Sequence, residues 1–430
     1  MHRRDFLHPR QIALTAGQAL GALARDPLRE DTSPETSGEP AAALLRFSRR
    51  CMATGFEVVF PFGTPEATDR ARQAFDLLDR LESQLTVYRD SSEVSHLNRL
   101  APFQSVRVEP GLFALLRLAA EITEITGGAF DITAGALTKA WGFYRGPRRV
   151  PSDEEQCSAL EKSGMRHVVL DPRSESIRFL RPGLEINLGS IGKGYALDRV
   201  ASWLNSSLKP RCGDLIGGLP ASGATGSVLG TRANQQVAAS AVAARDARVP
   251  EYRNPWHPEV ADGRQRPIDS GSVLLQGGSS SVYAKGSPTA DGRGWPVDIK
   301  HPWQPDRYLA RLWLRDRALG TSAATFQHLE HEGRKLGHVL DPRTGWPASG
   351  VASASVVAAT AAEADALSTG FFVGGPELAR VVCASRPDIG CVLLPEGDDA
   401  EVIVLNLGPE ECASPSAVPD TSRAIVPDRN

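Results

Sequence analysis

Residues Ile186 to Tyr195 read I-N-L-G-S-I-G-K-G-Y, a pattern that predicts a strand, a glycine-rich turn and then a helix running from about 193 to 204. In such a connection, backbone N–H groups of the turn and the helix N-terminus can face a phosphate group. Lys193 would add a fixed positive charge. The spacing differs from the P-loop pattern G-x-x-x-x-G-K-[ST]. Taken alone, the segment is more often a tight strand-to-helix connection with a surface lysine.

Predicted strands and helices follow one another in irregular order on both sides of this segment. Apolar residues at helical spacing indicate a helix capped by Thr64, with Pro65 at its first position, and another from Pro110 to Gly127-Gly128. The other predicted elements are strands at 56–60, 167–170, 176–180, 272–276, 281–285, 308–314, 335–340, 351–358 and 390–394, and helices at 361–372 and 376–384. Strands in hairpin-like neighbours mixed with helices are typical of an α+β fold, with mixed or antiparallel sheets packed against helices.

The chain has 430 residues, a net charge of −3 and 23% charged residues, as expected of a globular protein. It carries no stripe of Lys and Arg interleaved with aromatic residues, so we expect no nucleic-acid partner. No apolar run is long enough to predict a transmembrane segment. The six cysteines show no C-x-x-C spacing, which argues against a zinc site or a disulfide framework.

Three parts are predicted along the chain. Residues 1–45 form an N-terminal leader and a linker, and the Pro-, Ser- and acid-rich stretch at 26–40 is expected to be disordered. Residues 46–400 form the folded domain. Within it, residues 205–270 lack any sustained period and are predicted to be a surface insertion. Residues 401–430 are predicted to be a C-terminal tail.

The N-terminus leaves the compartment open. Arg3 to Leu7 read R-R-D-F-L, which is similar to a twin-arginine export signal. Pro9 and Arg10 then interrupt the apolar segment that such a signal needs. The alternatives are export to a periplasmic or membrane-associated location, or a polar N-terminal helix on a cytoplasmic protein.

A candidate metal site lies in the predicted helix at 361–372. Asp365 and Thr369 are four residues apart and therefore share one helix face, with Ser368 beside them. One carboxylate with hydroxyl and carbonyl oxygens suits magnesium better than zinc. The commoner interpretation of such a pattern is a helix N-terminus where Asp and hydroxyl groups satisfy backbone N–H groups.

Two further segments are candidates for ligand contacts. In Gly337 to Gly345, His338 ends a predicted strand beside a strong turn, a place suited to a general base, although a lone histidine is more often a packed residue. In Thr126 to Thr133, a double glycine precedes Phe130 and Asp131, which could present an aromatic face and a carboxylate to a ligand. Equally, the segment could be only a helix end followed by a core phenylalanine.

The order of these segments gives more information than any one of them. The quoted stretches are Met52-Ala53-Thr54, Tyr88 to Asn98 (Y-R-D-S-S-E-V-S-H-L-N), T-G-G-A-F-D-I-T, N-L-G-S-I-G-K-G-Y-A-L-D, G-H-V-L-D-P-R-T-G and A-D-A-L-S-T. In this order the chain resembles the ApbE family of flavin transferases over about residues 50 to 395, apart from the insertion.

The resemblance implies a T-fold-like α+β fold and an enzyme that binds FAD with Mg²⁺. Such an enzyme transfers FMN to a Ser or Thr hydroxyl of an acceptor protein and releases AMP. The positions that the resemblance assigns to FAD contacts are Met52, Tyr88, Ala129, Phe130, Asp131, Asn187 and Lys193. It assigns the metal shell to Ser190, through its backbone carbonyl, and to Asp365, Ser368 and Thr369. His338 matches the family's histidine that deprotonates the acceptor hydroxyl.

Two positions depart from the family pattern. Asn187 stands where the family often has Asp, and Gly277-Gly278-Ser279 stands where it commonly has G-G-D. Loss of these carboxylates would weaken binding or change the metal geometry. Two alternatives therefore remain at this point: an FAD pyrophosphatase that gives free FMN and AMP, and a non-catalytic protein that binds or carries FAD.

Overall fold

A computed structural model of the chain describes residues 43–144, 146–207, 271–304, 306–323, 328–331, 333–397 and 399–413. The arginine pair near the N-terminus, the predicted linker at 26–40 and residues 208–270 of the predicted insertion lie outside these ranges. Within them, no helix combines the length and the apolar character needed to cross a membrane.

The described residues form helices and strands in mixed order. The α-helices are α1 (Ala67–Leu85), α2 (Glu93–Leu100), α3 (Pro110–Ile125), α4 (Gly135–Ala140), α5 (Asp153–Glu161), α6 (Gly192–Ser207) and α7 (Ala361–Ser385), with a 3₁₀ turn at Met165–His167. The first strands are β1 (Leu44–Cys51), β2 (Thr54–Pro61), β3 (Val106–Arg107), β4 (Val168–Asp171), β5 (Ser176–Phe179), β6 (Val273–Gly277), β7 (Ser281–Lys285) and β8 (Trp295–Lys300). The remaining strands are β9 (Tyr308–Leu314), β10 (Arg317–Ala323), β11 (His328–His331), β12 (Arg334–Gly337), β13 (Val351–Ala358), β14 (Gly390–Pro395), β15 (Ile403–Leu405) and β16 (Cys412–Ala413).

An eight-stranded antiparallel sheet in the order β1-β2-β6-β7-β10-β13-β14-β15 organises the domain. Helices α6 and α7 pack on one face of this sheet, and the sheet β16-β9-β8 covers the other. Two smaller units, β3-β5-β4 and the hairpin β11-β12, complete the described strands. The α+β prediction is therefore confirmed, with antiparallel sheets.

The large sheet is buried on both faces, and alternate residues along its strands pack into two different cores. On β6, Val273 and Leu275 pack into the core under the helices, whereas Leu274 packs against the three-stranded sheet. Successive side chains of a strand point to opposite faces, so one strand supplies both cores. All eight residues of β13, an interior strand of the sheet, are buried.

Helix α7 lies unusually close to its neighbours because two glycines face it. A Cβ atom on Gly320 of β10 would lie 2.4 Å from the carbonyl oxygen of Ala364. A Cβ atom on Gly194 of α6 would lie 2.1 Å from the carbonyl oxygen of Ala361. Both distances are far below van der Waals contact, so only glycine allows the backbones to meet here.

The N-terminus of α7 is also tied to α6 by hydrogen bonds. The carboxylate of Asp198 accepts the N–H groups of Ala361 at 2.7 Å and Ala362 at 2.8 Å, and the Thr360 hydroxyl accepts the N–H of Glu363 at 3.3 Å. These groups satisfy three of the four N–H groups that a helix start leaves without intrahelical partners. The start of α7 is thus held in a fixed position over the sheet.

The prediction that Thr64 caps the first helix is wrong. Helix α1 begins at Ala67, and Glu66 precedes it with a left-handed backbone (φ 54°) and no side-chain cap. The Thr64 hydroxyl instead donates a hydrogen bond to the carbonyl of Pro61 at 2.7 Å. Thr64 therefore closes the turn that ends β2, and the helix starts after it.

The boundaries of the predicted domain also change. Helix α6 continues to Ser207, past the predicted start of the insertion at 205. Residues 403–413, which we assigned to a C-terminal tail, contain two strands: β15 pairs with β14, and β16 pairs with β9. Aliphatic residues in β15 allow it to continue the large sheet, so the domain extends beyond residue 400. The predicted helices at 361–372 and 376–384 are both present as the two segments of α7, which are separated by a break at Gly375 (φ 77°) before Pro376.

The contact at Gly194 gives a test of the fold. We expect Gly194→Ala to lower the free energy of unfolding by about 1–3 kcal/mol, because the added methyl group forces the α6 and α7 backbones apart. Gly192→Ala is the matched control: its Cβ atom would lie 3.6 Å from the Leu188 Cβ, an ordinary contact. Urea denaturation of both variants measures the difference, and equal stability of the two would contradict the close-packing account.

Candidate active site

One large cleft of about 840 Å³ opens between the large sheet, α6, α7 and the loops around α4. Ligand sites for small molecules and cofactors typically have volumes of a few hundred to about 1,000 Å³. Of the residues predicted from sequence, those lining it are Tyr88, Ala129, Phe130, Asp131, Asn187, Ser190, Lys193, His338, Asp365, Ser368 and Thr369. Segments that are far apart in the sequence thus meet at one cavity.

Met52 is the one predicted site residue that does not line the cleft. It lies in the two-residue turn between β1 and β2, where Met52 and Ala53 both have positive φ (48° and 62°). Its backbone N–H donates to the Glu82 carboxylate at 2.7 Å. Contact between Met52 and FAD therefore stays a prediction from the family resemblance.

Asp365 is the buried charge of the site, with 5% of its surface exposed. Its carboxylate accepts the N–H of Gly194 at 2.8 Å and the hydroxyl of Ser281 at 2.8 and 2.9 Å. Burial raises the pKa of Asp365 to about 6, against the lowering effects of the Lys193 charge and of these hydrogen bonds. The carboxylate is therefore ionised at neutral pH only at an energetic cost, which a bound cation would remove.

Three hydroxyl groups form a cluster one helical turn along α7 from Asp365. Ser368 and Thr369 donate to the carbonyl of Asp365 at 2.9 and 3.1 Å, one helical turn before them. The hydroxyl of Ser322, on β10, lies 3.0 Å from the Ser368 hydroxyl and 3.1 Å from that of Thr369. Each oxygen keeps lone-pair capacity for a further contact, so the helix face predicted from the i, i+3, i+4 spacing is present.

The donor set fits a hard divalent cation. Every candidate ligand around Asp365 is an oxygen atom, and the residues that the structure describes contain no group of three or more His, Cys, Asp or Glu side chains arranged to hold a metal. Mg²⁺ is commonly bound by one or two carboxylates, and the phosphates of a substrate complete its shell. This arrangement supplies one carboxylate and a row of hydroxyl groups, which leaves room for ligand oxygens.

The residues before α6 are held by side-chain and loop hydrogen bonds and do not belong to a sheet. They make only an isolated bridge between Glu185 and Ala134, so the predicted strand is absent. Instead, the Asn98 side chain accepts the N–H of Ile186 at 2.8 Å and donates to its carbonyl at 2.9 Å, and the Asn187 N–H donates to the Ile132 carbonyl at 2.7 Å. A single amide on α2 thus replaces a neighbouring strand for this residue.

The glycine-rich turn then leads into α6 as predicted. The Asn187 side-chain oxygen accepts the Gly189 N–H at 2.9 Å, which shapes the turn without a charge. Ser190 and Lys193 line the cleft at the N-terminal end of α6. A helix N-terminus and a lysine together favour an anionic ligand such as a phosphate.

The segment around Asp131 combines the two interpretations that the sequence left open. Asp131 accepts hydrogen bonds from the Thr133 N–H and hydroxyl at 2.8 and 2.6 Å and from the Met165 N–H at 2.9 Å, so it holds the local loop together. Ala129 and Phe130 border the cleft, yet each is only 1% exposed. Their side chains belong to the core, and a ligand would meet mainly their backbone.

His338 follows β12 directly and lines the cleft. The turn after it is braced by the N–H groups of Thr344 and Gly345, which donate to the Asp341 carbonyl at 3.2 and 2.8 Å. From outside the turn, the Gln156 side chain donates to the Thr344 carbonyl at 2.9 Å. His338 is therefore followed by a turn whose backbone is fixed by hydrogen bonds, a setting suited to a general base.

Several residues at the site escaped the sequence analysis. Ser281 and Ser322 support the metal candidates, Asn98 fixes the loop, and Lys300 and buried His301 line the cleft from β8 and its end. Asn98 lay inside a quoted motif, which was the only available signal for it. The others have no local pattern, because their partners lie on distant segments.

Asp365 gives a pH-dependent prediction for the metal-free protein. Its folded-state pKa is about 6, above the unfolded value of about 3.9. The folded state therefore binds the Asp365 proton more tightly than the unfolded state does. The stabilisation that comes from this proton is complete below about pH 4 and is lost as the pH rises to about 6. Asp365→Asn removes this titration, so at pH 8 the metal-free variant should be more stable than the wild type by about 2–3 kcal/mol.

Thermal unfolding with and without MgCl₂ completes that experiment. We expect Mg²⁺ to stabilise the wild type at pH 8 and to leave Asp365→Asn unchanged. A variant that is less stable than the wild type without metal, or that responds equally to Mg²⁺, would contradict the assignment.

Asn98 gives a second prediction. Asn98→Ala leaves the Ile186 N–H and carbonyl without their partners, so we expect the free energy of unfolding to fall by about 1–3 kcal/mol. Arg99→Ala, at an exposed position of the same helix, is the control and should change it by less than about 0.5 kcal/mol. Equal effects of the two substitutions, measured by urea denaturation, would show that the amide does not hold the loop.

Comparison with known proteins identifies the family. The family model described as the ApbE family matches residues 52–213 and 264–393, which is more than half of the chain. An FAD:protein FMN transferase of Escherichia coli strain K12 is 25% identical over 86% of this chain and 89% of its own length. An FAD:protein FMN transferase of Klebsiella pneumoniae is 23% identical over 76% of this chain and 83% of its own length.

Solved structures agree with this result at the level of the fold. The crystal structure of an ApbE protein from Thermotoga maritima superposes with a TM-score of 0.64 at 22% identity, covering 84% of this chain and 97% of that one. The flavin transferase ApbE from Vibrio cholerae gives 0.62 at 21% identity, covering 85% and 98%. The chain belongs to the ApbE family.

Proposed function

We propose that this protein is an FAD:protein FMN transferase, which cleaves the pyrophosphate of FAD and transfers FMN to a hydroxyl group of an acceptor protein. The observation that carries the proposal is the meeting of Asp365, Lys193 and His338 at one cleft of an ApbE-family chain. The reaction releases AMP, and the acceptor group is a Ser or Thr hydroxyl, as the resemblance implies. Its cofactor requirement is Mg²⁺.

The phosphate end of the substrate fits the glycine-rich turn. The start of α6 offers the positive end of its helix dipole, and Lys193 offers a charge, to the pyrophosphate of FAD. Phosphoryl transfer depends mostly on positioning and on stabilisation of charge, and both are provided by groups that are already fixed in the fold. Asn187 and Asn98 hold this turn through the hydrogen bonds described above.

Asp365, Ser368 and Thr369, with the backbone of Ser190, would hold Mg²⁺ beside this turn. When bound, the ion supplies neutralisation of the pyrophosphate charge and polarisation of the phosphorus atom under attack. The Ser281 hydroxyl and the Gly194 N–H both donate to this carboxylate, so they orient it and favour its ionised form against the opposing effect of burial.

His338 is the proposed general base. A Ser or Thr hydroxyl is a poor nucleophile at neutral pH, and removal of its proton during attack accelerates such reactions by about 10²–10⁴-fold. In the proposed transfer, the acceptor oxygen forms a bond to the phosphorus of the FMN half. The bond from that phosphorus to the bridging oxygen breaks, the acceptor proton passes to His338, and AMP leaves with the bridging oxygen.

The test is incubation of the purified protein with FAD, MgCl₂ and a Ser- or Thr-containing acceptor peptide. AMP and FMN are followed by chromatography, and the peptide adduct by mass spectrometry. We expect His338→Ala to lower the turnover number by about 10²–10⁴-fold and to change the dissociation constant for FAD by less than about threefold, since the base acts in the chemical step. His96→Ala, at an exposed histidine on α2, is the control and should match the wild type.

The products distinguish the remaining alternatives. AMP together with an FMN-modified peptide supports the transferase. AMP with only free FMN, at the same rate with or without any acceptor, indicates the pyrophosphatase. Tight binding of FAD without AMP indicates a carrier protein. Either of the last two results contradicts the proposal.

A further inference from the structure

Two tyrosines form a stacked pair, and one of them, Tyr88, lines the cleft. The ring centroids of Tyr88 and Tyr144 lie 4.8 Å apart, and the ring planes are within 10° of parallel. Tyr88 lines the cleft and is 55% exposed, whereas Tyr144 is half-buried behind it. Neither the spacing of residues along the chain nor the family resemblance pointed to Tyr144.

Tyr144 is anchored to the backbone beside its partner. Its hydroxyl donates a hydrogen bond to the carbonyl of Val87, the residue that precedes Tyr88. The ammonium group of Lys139 lies 5.2 Å from the Tyr144 ring centroid, and it is itself paired with Glu185 at 2.6 Å. Tyr144 therefore contacts the Tyr88 loop through both its ring and its hydroxyl.

The segment that carries Tyr144 is equally constrained. Trp141, three residues earlier, is fully buried and donates its indole N–H to the Gly345 carbonyl at 2.8 Å. Gly142 has a left-handed backbone (φ 71°), and a Cβ atom there would lie 2.2 Å from the Pro147 carbonyl oxygen. The short stretch from 141 to 144 thus links the turn after His338 to the aromatic pair.

A stacked partner lowers the entropic cost of binding a ligand to an exposed tyrosine. An isolated surface tyrosine samples several rotamers, and fixing it on binding costs conformational entropy. A ring that is already held in one plane avoids this cost and presents a flat apolar surface. The isoalloxazine ring of a flavin is larger and more apolar than adenine, so it gains more from such a surface.

We propose that Tyr144 is a positioning residue that fixes the ring plane of Tyr88 and thereby sets the affinity of the cleft for the flavin half of FAD. This inference rests on the proposed function, because it takes FAD as the substrate. It assigns no chemical step to Tyr144. The aromatic pair is the recognition surface for the flavin ring, and the binding of the AMP half does not depend on it.

Binding of riboflavin and of AMP to the full chain, each measured by isothermal titration, tests the two halves separately. Tyr144→Leu keeps apolar bulk but removes the stacked ring, and we expect it to weaken riboflavin and FAD binding by about 2- to 12-fold, the range measured for aromatic pairs. AMP binding should stay within about 1.5-fold of the wild type, as expected for a site without a contact to the changed residue. Tyr144→Phe keeps the stack and should restore most of the riboflavin affinity, and Phe103→Ala, at a 77% exposed ring outside the cleft, should change neither.

A double-mutant cycle tests whether Tyr144 acts through Tyr88. If it does, Tyr144→Leu should have little further effect on riboflavin binding once Tyr88→Leu is present. If a thermal scan shows that Tyr144→Leu does not fold, Tyr88→Leu replaces it as the test. Tyr88→Leu removes only the ring that lines the cleft, and it should weaken riboflavin binding by a similar factor. Additive effects in the cycle, unchanged riboflavin binding in either single variant, or an equal loss of AMP and riboflavin binding would each overturn the inference.

These experiments test the role of Tyr144 separately from the transferase activity. A wild type that transfers FMN, with riboflavin binding indifferent to Tyr144 and Tyr88, refutes the positioning role alone. A wild type that binds riboflavin through the pair but never forms a peptide adduct refutes the transferase alone. A wild type that binds no flavin refutes both.

Discussion

The close approach of helix α7 to α6 and β10 is the constraint on which the site depends. Backbone meets backbone at Gly194 and Gly320, and this contact carries Asp365 into the interior. There the Gly194 N–H and the Ser281 hydroxyl meet its carboxylate. The same packing sets the row of hydroxyl groups one turn further along α7, and it places the start of α6, with its lysine, beside them. A larger side chain at either glycine would displace all of these groups together.

This arrangement leaves the site electrostatically incomplete. A buried carboxylate is costly to ionise, and the charge of Lys193 and two hydrogen-bond donors bring its pKa down only to about 6. The surrounding hydroxyl groups are neutral and accept further contacts. A divalent cation bridging this carboxylate to an anionic substrate would satisfy both charges at once, so binding of metal and of pyrophosphate would reinforce each other. The energetic cost of ionising Asp365 in the metal-free site would therefore add to the affinity of the site for a cation.

Sequence reasoning succeeded where partners are local. The shared face of Asp365, Ser368 and Thr369 follows from helical spacing alone, and the helix end at Gly127-Gly128 follows from backbone conformation (φ 56° and 79°). It could not find Ser281, whose partner Asp365 lies 84 residues away, or the role of Asn98, whose partner Ile186 lies 88 residues away. Such contacts are decided by tertiary packing and leave no periodic trace in the chain.

The measurement that most directly tests the central claim is a crystal structure of the full chain grown with FAD and Mn²⁺, in which anomalous scattering locates the ion. The claim is that the buried carboxylate of α7 holds a cation against the FAD pyrophosphate. It predicts one ion at about 2.1 Å from an Asp365 carboxylate oxygen, with hydroxyl groups of α7 and the pyrophosphate beside it. An ion bound elsewhere, or FAD bound in the cleft while Asp365 remains satisfied only by Ser281 and Gly194, would contradict it.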